Sequence, residues 1–115
     1  MTSSSSSKTV NSVEAWGMLA EDPDTVLVDV RTMVEWAYVG LPNLTSIGKD
    51  VVTIEWSKLT GQQNMAFAQQ LMAQVPKDKT VLFICRAGLR SHSAAMAALL
   101  AGYAAEVNVE EGFDC

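Results

Sequence analysis

Three short apolar runs stand out along the chain, and each is rich in β-branched residues. They cover residues 25–30, Thr80–Ile84 and Ala105–Val109. The first two contain almost no polar residue, which is typical of strands that are covered on both faces of a sheet. The pattern therefore predicts two buried strands and a third strand over the last run, and we expect a further short strand around residues 44–47.

Apolar residues at helical spacing occupy the segment before the first run. Asn11 or Ser12 is expected to cap a helix there, and Asp22-Pro23-Asp24 is expected to end it. The predicted buried face of this helix carries Val13, Trp16 and Leu19 or Ala20.

Two more helices are predicted later in the chain. Residues 91–100 are rich in alanine and are expected to form a helix that ends at Gly102. Residues 31–48 mix helix-like and turn-like signals, so we expect one helical turn before a loop. Residues 62–75 form an amphipathic segment, ended by Pro76, with the core-facing positions Met65, Ala68, Leu71, Met72 and Val75.

The alternation of strands and helices predicts an α/β fold. We expect a three-layer domain with a central, mostly parallel sheet flanked by helices. Sheets of this kind present their sites at the carboxyl ends of their strands. Cys85 directly follows the run Thr80–Ile84, so it is expected at that edge.

Length and charge narrow the classes of function. The 115 residues are expected to form a disordered, serine-rich tail over residues 1–10 and one domain over residues 11–115. A net charge of -5 gives the protein no overall positive potential to attract the phosphate backbone of a nucleic acid. Nucleic acid is therefore not an expected partner. The sequence has neither an apolar run long enough for a membrane span nor a secretory signal, which predicts a cytoplasmic protein.

Two cysteines and one histidine restrict the metal chemistry. Cys85 and Cys115 do not form a Cys-x-x-Cys pair, and His92 is the one histidine. We therefore expect no zinc site and a reduced setting for the thiols. His92 is expected to face solvent, and Cys115 is interpreted as incidental.

The residues after Cys85 favour a reactive sulfur over an inert core cysteine. Gly88 can adopt a positive φ, and the following helix begins with N–H groups that lack intrahelical partners. Such a loop can point several amides at an anion, and Arg86 and Arg90 add two cations. These surroundings favour the thiolate, which is the nucleophilic form of cysteine.

Three stretches resemble the rhodanese homology domain. Residues 85–91, Cys-Arg-Ala-Gly-Leu-Arg-Ser, are similar to its active-site loop. Val28-Asp29-Val30-Arg31 with Glu35-Trp36 resembles its Asp-Val-Arg…Glu-Tyr/Trp signature. Asn108-Val109 with Glu111-Gly112-Phe113 resembles its last strand and glycine turn, so the resemblance covers about residues 11–113.

The resemblance implies a sulfurtransferase that needs no metal or organic cofactor. Cys85 would take a sulfane sulfur from a small anionic donor such as thiosulfate and pass it, through a persulfide, to a thiol or protein acceptor. Asp29 and Arg31 are expected to form a structural ion pair, and Ser91 to cap the helix and place a hydroxyl near the sulfur. The resemblance assigns binding of the donor and the persulfide to Arg86, Ala87, Gly88, Leu89, Arg90 and Ser91.

The chain departs from the family pattern in two places. Where many relatives have Gly-His-Ile-Pro-Gly-Ala, it has Val39-Gly40-Leu41-Pro42-Asn43-Leu44, without the histidine. Relatives also continue beyond the glycine turn, so we expect the natural domain to extend past Cys115.

Two other functions are compatible with these features. A dual-specificity phosphatase of the cell-cycle type uses a cysteine thiolate in a similar loop, but that loop has five residues between cysteine and arginine, and four lie between Cys85 and Arg90. A non-catalytic rhodanese-like module, serving binding or regulation, typically lacks the cysteine. Retention of Cys85 and the shorter loop favour the sulfurtransferase.

Overall fold

A sheet of five parallel strands lies at the centre of the protein. The computed structural model describes residues 8–58, 60–85, 89–103 and 105–109. In chain order the strands are β1 Lys8–Val10, β2 Thr25–Asp29, β3 Val52–Thr53, β4 Thr80–Ile84 and β5 Ala105–Val109. Their order across the sheet is β1-β5-β4-β2-β3, and every neighbouring pair is parallel.

Four α-helices accompany the sheet, and helical layers cover both of its faces. They are α1 Ser12–Glu21, α2 Met33–Val39, α3 Phe67–Gln74 and α4 Leu89–Leu100. The apolar cluster on one face joins α1 to the strands and comprises Val10, Ala15, Leu19, Leu27, Leu44, Leu82, Ile84, Val107 and Val109. The cluster on the other face joins α3 and α4 to the strands, and its members include Val28, Phe67, Leu71, Val81, Phe83, Cys85, Ala94 and Ala98. The three-layer α/β fold predicted from the sequence is confirmed.

Burial on both faces explains why the strands could be recognised in the sequence. Val81, Leu82 and Phe83 are each 0% exposed, and burial of a side chain of this size contributes roughly 1.5–3 kcal/mol to folding. β4 and β5 have the predicted bounds, and β2 ends one residue before the predicted limit.

Capping boxes fix the starts of α1 and α2. Asn11 Oδ1 accepts a hydrogen bond from the backbone N–H of Glu14, and the Glu14 carboxylate accepts one from the N–H of Asn11. Thr32 and Glu35 make the same exchange at the start of α2. Each box satisfies N–H groups that a helix start otherwise leaves unpaired. The expected single helical turn after β2 is thus a helix of seven residues.

The prediction of a disordered tail over residues 1–10 is wrong for residues 8–10. Lys8–Val10 form β1, paired in parallel with Val107–Val109 of β5, and the Val10 side chain is 3% exposed in the core. A three-residue strand next to a polar stretch is too short to show a periodic pattern. The rest of the predicted tail lies outside the described residues.

The predicted buried face of α1 is also wrong, except at Leu19. Val13 and Trp16 are exposed, while Ala15 and Leu19 face the sheet. Apolar residues lie along two faces of this helix. The face that carries Ala15 and Leu19 packs against the strands. The sequence pattern cannot distinguish them, because the choice depends on the shape of the surface that the helix meets.

Two loop segments differ from the predicted elements. Residues 44–47, expected as a strand, contain a 3-10 turn over Thr45–Ile47, because the Asn43 side chain accepts from both the N–H and the hydroxyl of Thr45. The third strand of the chain is instead β3. The helix expected from residue 62 begins at Phe67, since Asn64 accepts from the N–H of Ala66 and holds a turn before it. Met65 therefore lies outside the helix and is exposed.

Candidate active site

Cys85 lies at the carboxyl edge of the sheet, immediately after β4. A hydrogen bond from the N–H of Val30 to the carbonyl of Ile84, 2.9 Å long, continues the pairing of β2 and β4 up to this position. The Cys85 side chain is 1% exposed and belongs to the cluster between the sheet and α4. The prediction that the cysteine stands at a strand end of a parallel sheet is therefore confirmed.

Ser91, in the first turn of α4, contacts the sulfur with both its backbone and its side chain. Its N–H donates to Cys85 Sγ over 3.3 Å, and Cys85 Sγ lies 3.4 Å from Ser91 Oγ. The N–H groups in the first turn of a helix lack intrahelical carbonyl partners, so this amide is available to a sulfur atom. The positive end of the helix dipole lies there as well and favours negative charge on the sulfur.

Asn108 of β5 extends this contact across the sheet. The Ser91 hydroxyl donates to Asn108 Oδ1 over 2.5 Å, and both residues are buried. Asn108 aligns in register with Phe83 of β4 on one side and with Thr9 of β1 on the other. Three polar groups, from β4, α4 and β5, thus meet within a largely apolar layer.

Arg90 is bound to Glu35 of α2. Nη1 lies 2.7 Å from Oε1 and Nη2 lies 3.1 Å from Oε2, so the pair is bidentate. The hydrogen bond from Arg90 lowers the pKa of Glu35 to about 2, against an opposing effect of burial. The pKa of Arg90 is raised, chiefly by its hydrogen bond to Glu35 and further by the negative charge of Glu35, with smaller contributions from Cys85 and Asp29. Arg90 is thus held in an ion pair with Glu35 and is not the free cation that the sequence analysis assumed.

The expected structural ion pair between Asp29 and Arg31 is present. Arg31 Nη2 lies 2.7 Å from Asp29 Oδ2, and the two side chains are 2% and 0% exposed. Arg31 Nη2 also donates to the carbonyl of Gly40 over 2.6 Å, where Gly40 ends α2 with a positive φ of 102°. The pair thus links the end of β2 to the end of α2.

The other predicted site residues fall into two groups. Leu89 is exposed at the start of α4, and His92 is exposed on the same helix, as expected for a solvent-facing histidine. Arg86, Ala87 and Gly88 lie outside the described residues, and so does Cys115.

Two residues of the site have roles that the sequence analysis did not assign. The sequence analysis includes Glu35 only in the family signature and gives it no role. Its spacing from Thr32 nevertheless marks a capping box. Asn108 was noted only as part of a strand. A polar side chain between two valines in a predicted strand is a signal of a buried polar contact, because buried polar groups need partners.

Comparisons with known proteins agree with this geometry. The model of the rhodanese-like domain family matches residues 12–114. An uncharacterized protein from Rickettsia conorii is 36% identical over 106 residues, which are 90% of this chain and 80% of that protein. The crystal structure of Rv0390 from M. tuberculosis is 41% identical, with a TM-score of 0.87, and the match covers 93% of this chain and 80% of that one. The chain belongs to the rhodanese-like domain family.

A more distant relative has a functional name. A protein from Allochromatium vinosum that is named sulfurtransferase is 29% identical over 94 residues, covering 82% of this chain and 73% of that protein. None of the helices in the described ranges has the length and apolar character needed to cross a bilayer.

Proposed function

We propose that this protein is a sulfurtransferase that carries a sulfane sulfur on Cys85. The observation that carries the proposal is the hydrogen bond from the N–H of Ser91, in the first turn of α4, to Cys85 Sγ. A helix start aimed at a sulfur atom at the carboxyl edge of a parallel sheet stabilises a thiolate or a persulfide anion. Membership of the rhodanese-like family and the sulfurtransferase from Allochromatium vinosum support the same chemistry.

The proposed transfer takes place in two nucleophilic displacements at sulfur. In the first, the Cys85 thiolate attacks the outer sulfur of thiosulfate, an S–S bond forms to Cys85, and sulfite leaves with the electron pair of the broken S–S bond. In the second, an acceptor thiolate attacks the terminal sulfur of the persulfide, and Cys85 leaves as a thiolate. The acceptor is a small thiol or a protein thiol. Covalent catalysis of this kind gives ping-pong kinetics.

The loop residues divide into contact and positioning roles in this proposal. As the family resemblance implies, we assign binding of the terminal sulfur of the persulfide to the residues from Arg86 to Ser91, and attraction of the anionic donor to the charge of Arg86. Arg90 is a positioning residue, because Glu35 holds both of its terminal nitrogens and the pair links α4 to α2. No cofactor takes part, and the proposed setting is the cytoplasm, where thiols stay reduced.

The phosphatase and the non-catalytic module predict different chemistry. A phosphatase must place donors about 2.7–3.1 Å from several phosphate oxygens, which needs a wider ring than one with four residues between Cys85 and Arg90. A binding module has no need for a helix amide on the sulfur. Both observations favour sulfur transfer.

Steady-state kinetics test the proposal. Wild-type protein is expected to transfer sulfur from thiosulfate to a small thiol, with parallel lines in double-reciprocal plots, and to release no phenolate from an aryl phosphate above the level of Cys85→Ser. The Cys85→Ser variant is expected to transfer no sulfur. Aryl phosphate hydrolysis that depends on Cys85 would replace this function with the phosphatase, and inactivity toward both substrates would favour the binding module.

A further inference from the structure

We propose that Asn108 is a positioning residue that controls the direction in which the Ser91 hydroxyl points, and thereby the protonation of Cys85. The inference rests on the proposed function of Cys85 as a sulfur carrier. Asn108 acts through Ser91, whose hydroxyl lies between the Asn108 amide and Cys85 Sγ.

The hydrogen-bond chain in the structure is directional. A hydroxyl has one proton to donate and two lone pairs to accept with. The Ser91 proton is donated to Asn108 Oδ1 at 2.5 Å, so a lone pair of Ser91 Oγ faces the sulfur 3.4 Å away. Cys85 donates its own proton to that lone pair. This arrangement therefore fits the protonated thiol.

An anionic sulfur requires the opposite direction. A thiolate or a persulfide anion has no proton to donate, and a lone pair of Ser91 Oγ would face its negative charge. Rotation of the hydroxyl turns the Ser91 proton onto the sulfur and breaks the hydrogen bond to Asn108. The Ser91 N–H keeps its contact in both states. The strength of the bond between Ser91 and Asn108 thus opposes formation of the anion.

The buried position of Asn108 keeps its side chain in place as the acceptor for the Ser91 hydroxyl. The Asn108 side chain is 5% exposed on β5, an internal strand that pairs with β1 and β4. It therefore cannot move away from Ser91 or take bulk water as its hydrogen-bond partner in place of the Ser91 hydroxyl. A buried amide oxygen that loses its partner is costly, which adds to the preference for the thiol state. We infer that the resting protein restrains the reactivity of Cys85 and that loading with sulfur reverses the Ser91 hydroxyl.

Charged and titratable side chains also lie on the neighbouring elements. Arg90 on α4 interacts electrostatically with Cys85 and pairs with Glu35 on α2, and the buried Asp29–Arg31 pair lies at the end of β2. His92 on α4 is exposed, and Glu106 is buried on β5 in register with Val81 rather than with the site. A test must therefore keep Arg90, Glu35 and the Asp29–Arg31 pair unchanged and alter only the Ser91–Asn108 contact.

The test measures alkylation of Cys85 by iodoacetamide as a function of pH in a double-mutant cycle. Asn108→Val removes the acceptor with a residue suited to a strand and releases the Ser91 hydroxyl to the sulfur. The midpoint of the alkylation profile is expected to fall by about half to one pH unit, equivalent to a roughly 3- to 10-fold faster reaction below the midpoint. In a Ser91→Ala background, Asn108→Val is expected to leave the midpoint unchanged.

Two further variants separate positioning from packing. Asn108→Asp keeps an acceptor of nearly the same shape, so its midpoint is expected at or above that of the wild type, and the rise is expected to be smaller in the Ser91→Ala background. Glu106→Val replaces a buried polar residue on the same strand and the same face, aligned with Val81 rather than with the site, and is expected to leave the midpoint unchanged. The Asn108→Asp comparison carries the test if Asn108→Val does not fold.

The outcomes of this test are distinct from those of the proposed function. A midpoint that Asn108→Val leaves in place, or that it shifts equally with and without the Ser91 hydroxyl, would overturn the positioning role while persulfide formation stands. A shift that depends on Ser91 in a protein that forms no persulfide would keep the positioning role and reject the sulfurtransferase.

Discussion

Glu35 and Arg90 join α2 to α4 through two nearly parallel hydrogen bonds of 2.7 and 3.1 Å. The same Glu35 carboxylate accepts from the N–H and the hydroxyl of Thr32, so it also caps α2. The Glu35 side chain therefore stabilises the start of α2 and also holds Arg90, at the end of the Cys85 loop, in position. The pair is part-buried, which strengthens its electrostatics relative to a fully exposed ion pair.

Replacing Glu35 by Gln is expected to lower kcat/KM for sulfur transfer by at least about 10-fold, because Arg90 loses the charge that orients it. Glu14→Gln is the matched control, since Glu14 has the same place in the capping box of α1 but pairs with no arginine among the described residues. It is expected to leave kcat/KM within about 2-fold of the wild type. Equal losses in the two variants would assign the effect to helix capping alone.

The Glu35–Arg90 pair is also expected to give stability a particular pH dependence. The pKa of Glu35 is about 2 in the folded protein, below its ordinary value of 4.5. A lowered pKa contributes stability that is complete above pH 4.5 and is lost as the pH falls toward 2. Urea unfolding of wild type and Glu35→Gln is expected to differ by about 1–2 kcal/mol at pH 6 and by less at pH 3. A difference that grows on acidification would contradict the assigned pair.

The buried pair of Asp29 and Arg31 is expected to be essential for folding. Asp29→Asn removes the carboxylate from a guanidinium that is 2% exposed, and breaking a buried pair costs about 3–5 kcal/mol. Asp24→Asn is the control, because Asp24 is itself exposed and pairs with the half-buried Lys79, and it is expected to leave the unfolding midpoint in urea unchanged. A stable Asp29→Asn variant would mean that other contacts of Arg31 suffice.

Steering of the donor is expected to depend on Arg86. Arg86→Ala is expected to raise the KM for thiosulfate about 3- to 10-fold at low salt, with a smaller effect at high salt because the charge is screened. Lys79→Ala removes one positive charge near the opposite ends of the strands, just before β4, and is expected to leave this KM unchanged. Equal effects of both substitutions would indicate a general dependence on net charge.

β2 and β4 were predictable because burial on both faces leaves a nearly unbroken apolar signature, as in Val81-Leu82-Phe83. The position of Cys85 followed from that signature and from the topology of parallel sheets. β1 was not predictable, because its pairing with β5 depends on residues almost a hundred positions away. The buried face of α1 was missed for a related reason, since packing against the sheet selected Ala15 over Trp16.

Part of the site was predictable by the same logic. The sequence placed Cys85 and Ser91 on one loop and helix start, so their contact follows from local geometry. The partners Glu35 and Asn108 come from α2 and β5, and nothing local to the loop indicates which distant polar residue reaches it. The sequence therefore predicts a free cation at Arg90, whereas Glu35 binds it in the structure.

The mass of the intact protein after incubation with thiosulfate tests the central claim most directly. Wild-type protein, freed of excess donor, is expected to gain the mass of one sulfur atom and to lose it on addition of a thiol, with sulfite released in equal amount. Cys85→Ser is expected to gain nothing. An unchanged wild-type mass, or the same gain in Cys85→Ser, would contradict the assignment of Cys85 as the sulfur carrier.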